Sequence, residues 1–265
     1  MHQREVDRQQ VSSLLFSILF SLTSVLAFTA TAHASLYTEK IKSFSLEKLE
    51  TVFSNHDADV SCLSTPENPF LIGMVHQILI HAPIEKVISV FESFEDYPQI
   101  FDGLKRVKLL EKNESKNFLV EFESIIPIPF VPNSVYQVWY RAKVEELPVY
   151  KKSYLFELKS GNDLKALDGV AVIKKIGPSE TLYQEVDFLD VNWGLAKTFA
   201  AKSIWPDTVT DTIRSDYGLK FKSESSAMDS REIKKQSRFS VEAKKIEDCV
   251  AHQKPASTLF STSKK

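Results

Sequence analysis

The segment Ile80–Glu111, IHAPIEKVISVFESFEDYPQIFDGLKRVKLLE, carries a strand end, two helical turns of chain and a new strand in quick succession. Proline has no amide hydrogen and a φ already set for a first helical turn, so Ala82-Pro83 ends a strand and opens a helix. Val87, Ile88, Val90, Phe91 and Phe94 give that helix an apolar face. Tyr97-Pro98 with Ile100-Phe101 marks a second short helix before Gly103. Upstream, from Ile72, Met74, Ile78 and Ile80 alternate with Val75, Gln77 and Leu79, which reads as a strand buried on both faces and ending at His81.

C-terminal to this segment come strand-like runs at Arg106–Glu111, Phe118–Ile126, Val135–Glu145, Tyr150–Lys159, Gly169–Ile176 and Thr181–Asp190. Their separators are short, so neighbours run antiparallel. Trp193–Lys222, WGLAKTFAAKSIWPDTVTDTIRSDYGLKFK, then spaces Leu195, Phe199, Trp205, Val209, Ile213 and Tyr217 mostly four apart, with Lys197, Lys202, Asp207, Asp211, Arg214 and Asp216 between them. This predicts a long amphipathic helix whose charged residues are solvated. Pro206 predicts a kink, or a split with Ser203 capping the second piece.

This order of elements, with Ala82-Pro83, Val90-Phe91 and Tyr97-Pro98 at their spacing, resembles the helix-grip domains of the START-like superfamily over roughly Ile72–Lys222. That group includes StAR-related lipid-transfer domains, polyketide cyclases and coenzyme-Q-binding proteins. The resemblance implies an α+β fold: a curved antiparallel sheet of about seven strands wrapped round a long C-terminal helix, with two short helices after the first strand and an apolar cavity between sheet and helix.

Strand alternation names the side chains that would line such a cavity. Phe118, Val120 and Phe122 share one face, as do Tyr136, Val138 and Tyr140 with Ala142, and Tyr154 and Phe156 with Leu158; the helix would add Phe199, Val209 and Ile213. The same aromatics could simply fill a core. A second candidate is Ile125–Pro132, where three prolines exclude a regular interior strand, yet every residue is apolar. Ile126, Ile128 and Phe130 there would form a lid that touches ligand or, transiently, a membrane, or else a patch covered by the N-terminal helix.

Composition narrows the function classes. Lys+Arg total 33 against 35 Asp+Glu, a net charge of −2 over 265 residues, so nothing favours a nucleic-acid partner. Neither GxGxxG nor GxxxxGK[ST] occurs, and no cofactor is expected. His56, His76, His81 and His252 show no HxxxH spacing and no CxxC accompanies them, so they read as unrelated and no metal is expected. Three functions remain open: non-enzymatic binding or transport of a hydrophobic small molecule or lipid, a cyclase/aromatase-like enzyme using the same cavity, and a protein-interaction domain with a filled core. An enzyme needs acid/base groups in the cavity. Tyr136, Tyr140, Tyr154, Gln184 and His81 are the candidates, and they form no recognisable catalytic set.

The ends complete the expected organisation. Residues 1–34 read as a signal peptide, with the apolar run Leu14–Phe28 and Ala32-His33-Ala34 before a cut at Ser35. This places the protein outside the cytoplasm, in the periplasm; an uncleaved N-terminal anchor is the alternative. Residues 35–71 are expected to form a helix over Thr38–Asn55 and a loop, 72–222 the helix-grip domain, and 223–265 a polar, partly disordered appendage with a marginal helix around Asp229–Asp248. Cys62 and Cys249, the only cysteines, lie just outside the two ends of the main domain, and export makes a bridge between them the expectation.

Overall fold

The computed structural model describes residues 49, 53, 58–65, 71–115, 117–126, 132–145, 150–191, 196–225 and 227–260, with 196–204 and 260 described by backbone alone. The segment read as a signal peptide, most of the helix expected at Thr38–Asn55, and expected lid residues Ile128 and Phe130 lie outside the described residues. Among the described residues no helix is long and apolar enough to cross a membrane.

In chain order the elements are β1 (Asp59–Ser64), β2 (Ile72–Ile80), α1 (Ile84–Glu92), a 3-10 turn (Phe94–Asp96), α2 (Tyr97–Ile100), β3 (Leu104–Lys112), β4 (Phe118–Ser124), β5 (Ser134–Glu145), β6 (Lys151–Gly161), β7 (Leu164–Gly177) and β8 (Glu180–Val191). There follow α3 (Ala196–Glu224), α4 (Ser230–Ser240), α5 (Ala243–Ala251), β9 (Lys254–Pro255) and α6 (Ser257–Phe260). One sheet runs in the order β3-β4-β5-β6-β7-β8-β2-β1-β9. Its pairs are antiparallel except β1 with β9. The architecture is a helix grip.

The described sheet has nine strands rather than about seven. One of the two extra strands, β1, falls in the stretch Asp57–Pro69, whose Asp, Ser and Pro content reads as loop. Its strand character comes from pairing: Cys62 and Leu63 are buried against β2 and its neighbours. The other, β9, has two residues and joins only the sheet edge.

The reversal from β2 to β3 follows the sequence logic. Pro83 precedes α1, which buries Ile84, Val87, Val90 and Phe91, and the Tyr97 hydroxyl donates to the Phe91 carbonyl at 2.5 Å. Gly103, at φ 77°, occupies the left-handed region that a side chain would penalise, and so turns the chain into β3. α3 runs through Pro206 as one helix, so the expected split at Ser203 does not occur. A Cβ on Gly218 would stand 2.8 Å from the Ile100 carbonyl oxygen, so glycine is what lets α3 close on α2.

Both sheet faces are covered in the β7–β8–β2 region. The inner face gathers Ile78, Ile80, Ala171, Ile173 and Tyr183 with the β4–β6 aromatics, α1, α2 and Leu219 of α3. The outer face packs Val75, Val170, Val172, Val186 and Phe188 against Leu49, Ala256 and Leu259. The C-terminal stretch read as a polar appendage therefore takes part in the packing. Ile233 of α4 is fully buried in the main core, and two helices, not one, cover Ser230–Ala251. Their few apolar residues are diluted by Lys, Glu and Ser, which is why composition reads them as surface.

Candidate functional site

A cavity of about 410 Å³ lies between the concave sheet face, the α1–α2 turn and α3. The strands contribute Phe122, Tyr136, Tyr140 and Phe156, with Leu167 and Leu189 beyond them; the turn contributes Phe91, Tyr97 and Phe101. Phe122 and Tyr136 stack with ring centres 5.3 Å apart, and the Tyr136 hydroxyl lies 3.1 Å from that of Ser124. Period-two alternation aims these rings inward: Phe122 and Ser124 are two residues apart on β4, and Tyr136 and Tyr140 four apart on β5.

The structure sorts the expected ligand-binding residues into three groups. Phe122, Tyr136, Tyr140 and Phe156 border the cavity. Phe118, Val120, Val138 and Tyr154 belong to the same inner cluster but sit deeper, as packing behind that wall. Val209 and Ile213 lie elsewhere, with Trp205, against Val60, Cys62, Ile72, Met74 and Cys249. The reason is a strand read as loop: β1, joined to α5 by the expected Cys62–Cys249 disulfide, takes up the apolar stripe of α3 together with α5. The face of α3 expected to meet solvent borders the cavity instead, through Thr208, Asp211, Thr212, Ser215 and Asp216. The Phe199 side chain lies outside the described set. Of the lid, Ile126 is half-buried, while neighbouring Ile125 borders the cavity and is 49% exposed.

The acid/base candidates do not converge. Tyr154 donates to Glu92 at 2.7 Å, Gln184 bonds Gln77 at 3.1 Å on the outer face, and His81 is exposed beside Glu180. A different set does converge. His76, 2% exposed, faces Glu185 across the β2–β8 register, and its Nδ1 lies 2.8 Å from Asp216 Oδ2 on α3. Its Nε2 lies 4.0 Å from Glu185 Oε1. Asp187, two residues further along the same strand face, completes the group, and the Tyr183 hydroxyl donates to Glu185. All five side chains border the cavity.

Electrostatics in this cluster are strongly perturbed. Burial alone would push the His76 imidazole down, but the charge and hydrogen bond of Asp216, helped by Glu185 and Asp187, outweigh it and raise the pKa to about 10. Burial lifts Asp187 to about 7 and lifts Glu185 as well, with His76 opposing both shifts. Burial also raises Tyr97, Tyr140 and Tyr183 well above the usual phenol value, so these hydroxyls stay protonated donors. The sequence carried one usable signal: Glu185 and Asp187, spaced by two in the strand-like run Thr181–Asp190, must share a strand face. Nothing in the sequence pairs them with His76.

No family model matches the chain, and no curated protein matches it in sequence. Solved structures do match. A STAR-related lipid transfer protein from Xanthomonas axonopodis superposes with a TM-score of 0.52 at 10% identity, over 66% of this chain and 97% of that one. A START superfamily protein from Mycobacterium smegmatis gives 0.44 at 17% identity, over 57% and 97%. The Zhui aromatase/cyclase from Streptomyces sp. R1128 gives 0.48 at 10% identity, over 58% and 94%. The fold is START-like.

Proposed function

We propose that the protein binds a hydrophobic small molecule or lipid, non-covalently, in the cavity between the sheet and α3. The observation that carries this reading is the cavity itself: about 410 Å³ walled by Phe122, Tyr136, Tyr140, Phe156 and Leu189, within the size range of small-molecule sites. The likeness to the Xanthomonas lipid transfer protein, through the fold alone, is consistent with it. Ile125 at the border supports entry beside Ile125–Pro132, the segment proposed as a lid and as the point of transient membrane contact.

The proposal includes export. The apolar run Leu14–Phe28 before Ala32-His33-Ala34, and the Cys62–Cys249 bond, both support an oxidising compartment reached through a cleaved signal. Mature protein from an exporting host should begin at Ser35; an intact Met1 in the membrane fraction would refute cleavage.

Uptake of a fluorescent lipid or quinone analogue tests the binding reading. The parent protein should take it up, and Thr212→Trp, which places a large ring in the cavity from the helix side, should block uptake while leaving the circular dichroism spectrum unchanged. Absence of uptake for lipid, quinone and polyketide probes alike would remove the reading and favour a protein-interaction domain.

A further inference from the structure

The acidic groups bordering the cavity are unevenly compensated. Asp102 is held by Arg238 and Asp211 by Arg214. Glu185, Asp187 and Asp216 share His76, and among the described residues no Lys or Arg side chain borders the cavity. Three carboxylates around one imidazole, largely out of water, leave negative charge in the wall that a bound cation would offset. Two buried atoms in the group make no hydrogen bond: His76 Nε2 and Asp187 Oδ1, on side chains of residues 2% and 8% exposed.

We infer that His76, Glu185 and Asp187 form a binding site for a divalent first-row transition cation in the cavity wall. One ligand atom from each residue lies within 4.8 Å of the others. Tetrahedral bonds of about 2.1 Å place ligand atoms about 3.4 Å apart, so small side-chain rotations bring His76 Nε2 and Glu185 Oε1, now 4.0 Å apart, to ligating positions. A proton on Nε2 does not satisfy the pair, because 4.0 Å is beyond hydrogen-bond reach, whereas an ion between the two engages both.

The surrounding shell has the form such a site needs. His76 Nδ1 lies 2.8 Å from Asp216 Oδ2, so with a proton held between them Nε2 is the nitrogen directed to the ion, which binds by displacing the proton that Nε2 otherwise carries. The Tyr183 hydroxyl anchors Glu185 in the same manner. Partners of this kind fix ligand orientation in metal sites. One imidazole and two carboxylates suit zinc, manganese or iron(II) in preference to copper(I), which favours sulfur. Three protein ligands leave a coordination position toward the cavity, open to an oxygen donor of whatever occupies it. The site stands on its own ligands and does not depend on the lipid reading.

The test uses protein with its disulfide intact, stripped with a chelator and titrated calorimetrically with Zn²⁺ and Mn²⁺. One equivalent should bind per chain. Asp187→Asn and His76→Gln should weaken binding by 100-fold or more, and Asp216→Asn by about 10- to 100-fold. His81→Asn and His252→Asn, both on exposed histidines, should leave it unchanged. On the unaltered chain, Mn²⁺ should broaden backbone amide signals around His76 and Glu185 first, a readout that survives if a variant fails to fold. No stoichiometric uptake of either ion, uptake unaffected by His76→Gln and Asp187→Asn, or broadening centred on His81 or His252 would overturn the site.

Discussion

On one side of α3, Trp205, Val209 and Ile213 press into β1, β2 and α5 beside a disulfide, while on the other Thr208, Thr212, Ser215 and Asp216 border a cavity walled mainly by aromatic rings. The contrast reverses the usual expectation that an apolar helix stripe marks the functional interior. Here the apolar stripe is spent on the scaffold, and the polar one meets the site. Polar residues on a gripped helix can thus border the interior when a second apolar layer is available to the opposite face.

The largest effect should come from the disulfide on the packed side. Replacing both cysteines by serine frees a loop of 187 residues, which the chain-entropy argument values at about 5 kcal/mol as a ceiling. Urea denaturation should report most of that; a loss under about 1 kcal/mol would show that the stapled side is not the scaffold. Next come two phenylalanines on one strand. Phe118→Ala, in the deep packing, should cost about 3–5 kcal/mol, whereas Phe122→Ala should cost less because the cavity it borders already forgoes some contacts. Equal costs would mean that the space beside Phe122 closes in solution.

How much of this was legible follows from which patterns are local. The inward-facing rings of β4, β5 and β6 were readable because side chains alternate along any strand, and the α1–α2 turn was readable from Pro83, Tyr97 and Pro98. Val209 and Ile213 were identified as buried but given to the wrong neighbour, since a helical stripe states that a partner exists and not where it lies. His76, Glu185 and Asp216 come from three separated elements, so their meeting depends on strand register and helix placement. β1 was hidden for the same reason.

Across α3 itself, Ile213→Ala should cost about 2–4 kcal/mol, and Thr212→Ala, one residue earlier but toward the cavity, about 0.5 kcal/mol or less. Thermal or urea unfolding of the pair checks the asymmetry directly; similar losses would erase it. A further small effect concerns the clamp that holds α4 to the cavity rim. Arg238 Nε and Nη2 donate to Asp102 at 2.6 and 3.0 Å, and this hydrogen bonding, more than it is offset by burial, keeps the Asp102 carboxyl below its ordinary range. A depressed carboxylate contributes stability that is complete above its unfolded value, near pH 4, and is lost as pH falls through its lower folded value. Asp102→Asn should therefore cost about 0.5–1 kcal/mol at pH 7, and the difference from the parent should vanish in strong acid. A difference that persists there would assign the effect to packing.

The Cys62–Cys249 bond also closes the chain into a covalent ring that contains the whole cavity wall and α3. A protease that nicks any loop inside that ring opens it without releasing a fragment, so cleavage would show on a gel only after reduction. The same closure makes the ring tolerant of new ends. A chain cut at the β6–β7 turn and held by the bond keeps every strand tethered, and its ability to fill the cavity becomes a question of local contacts and no longer of where the polypeptide starts.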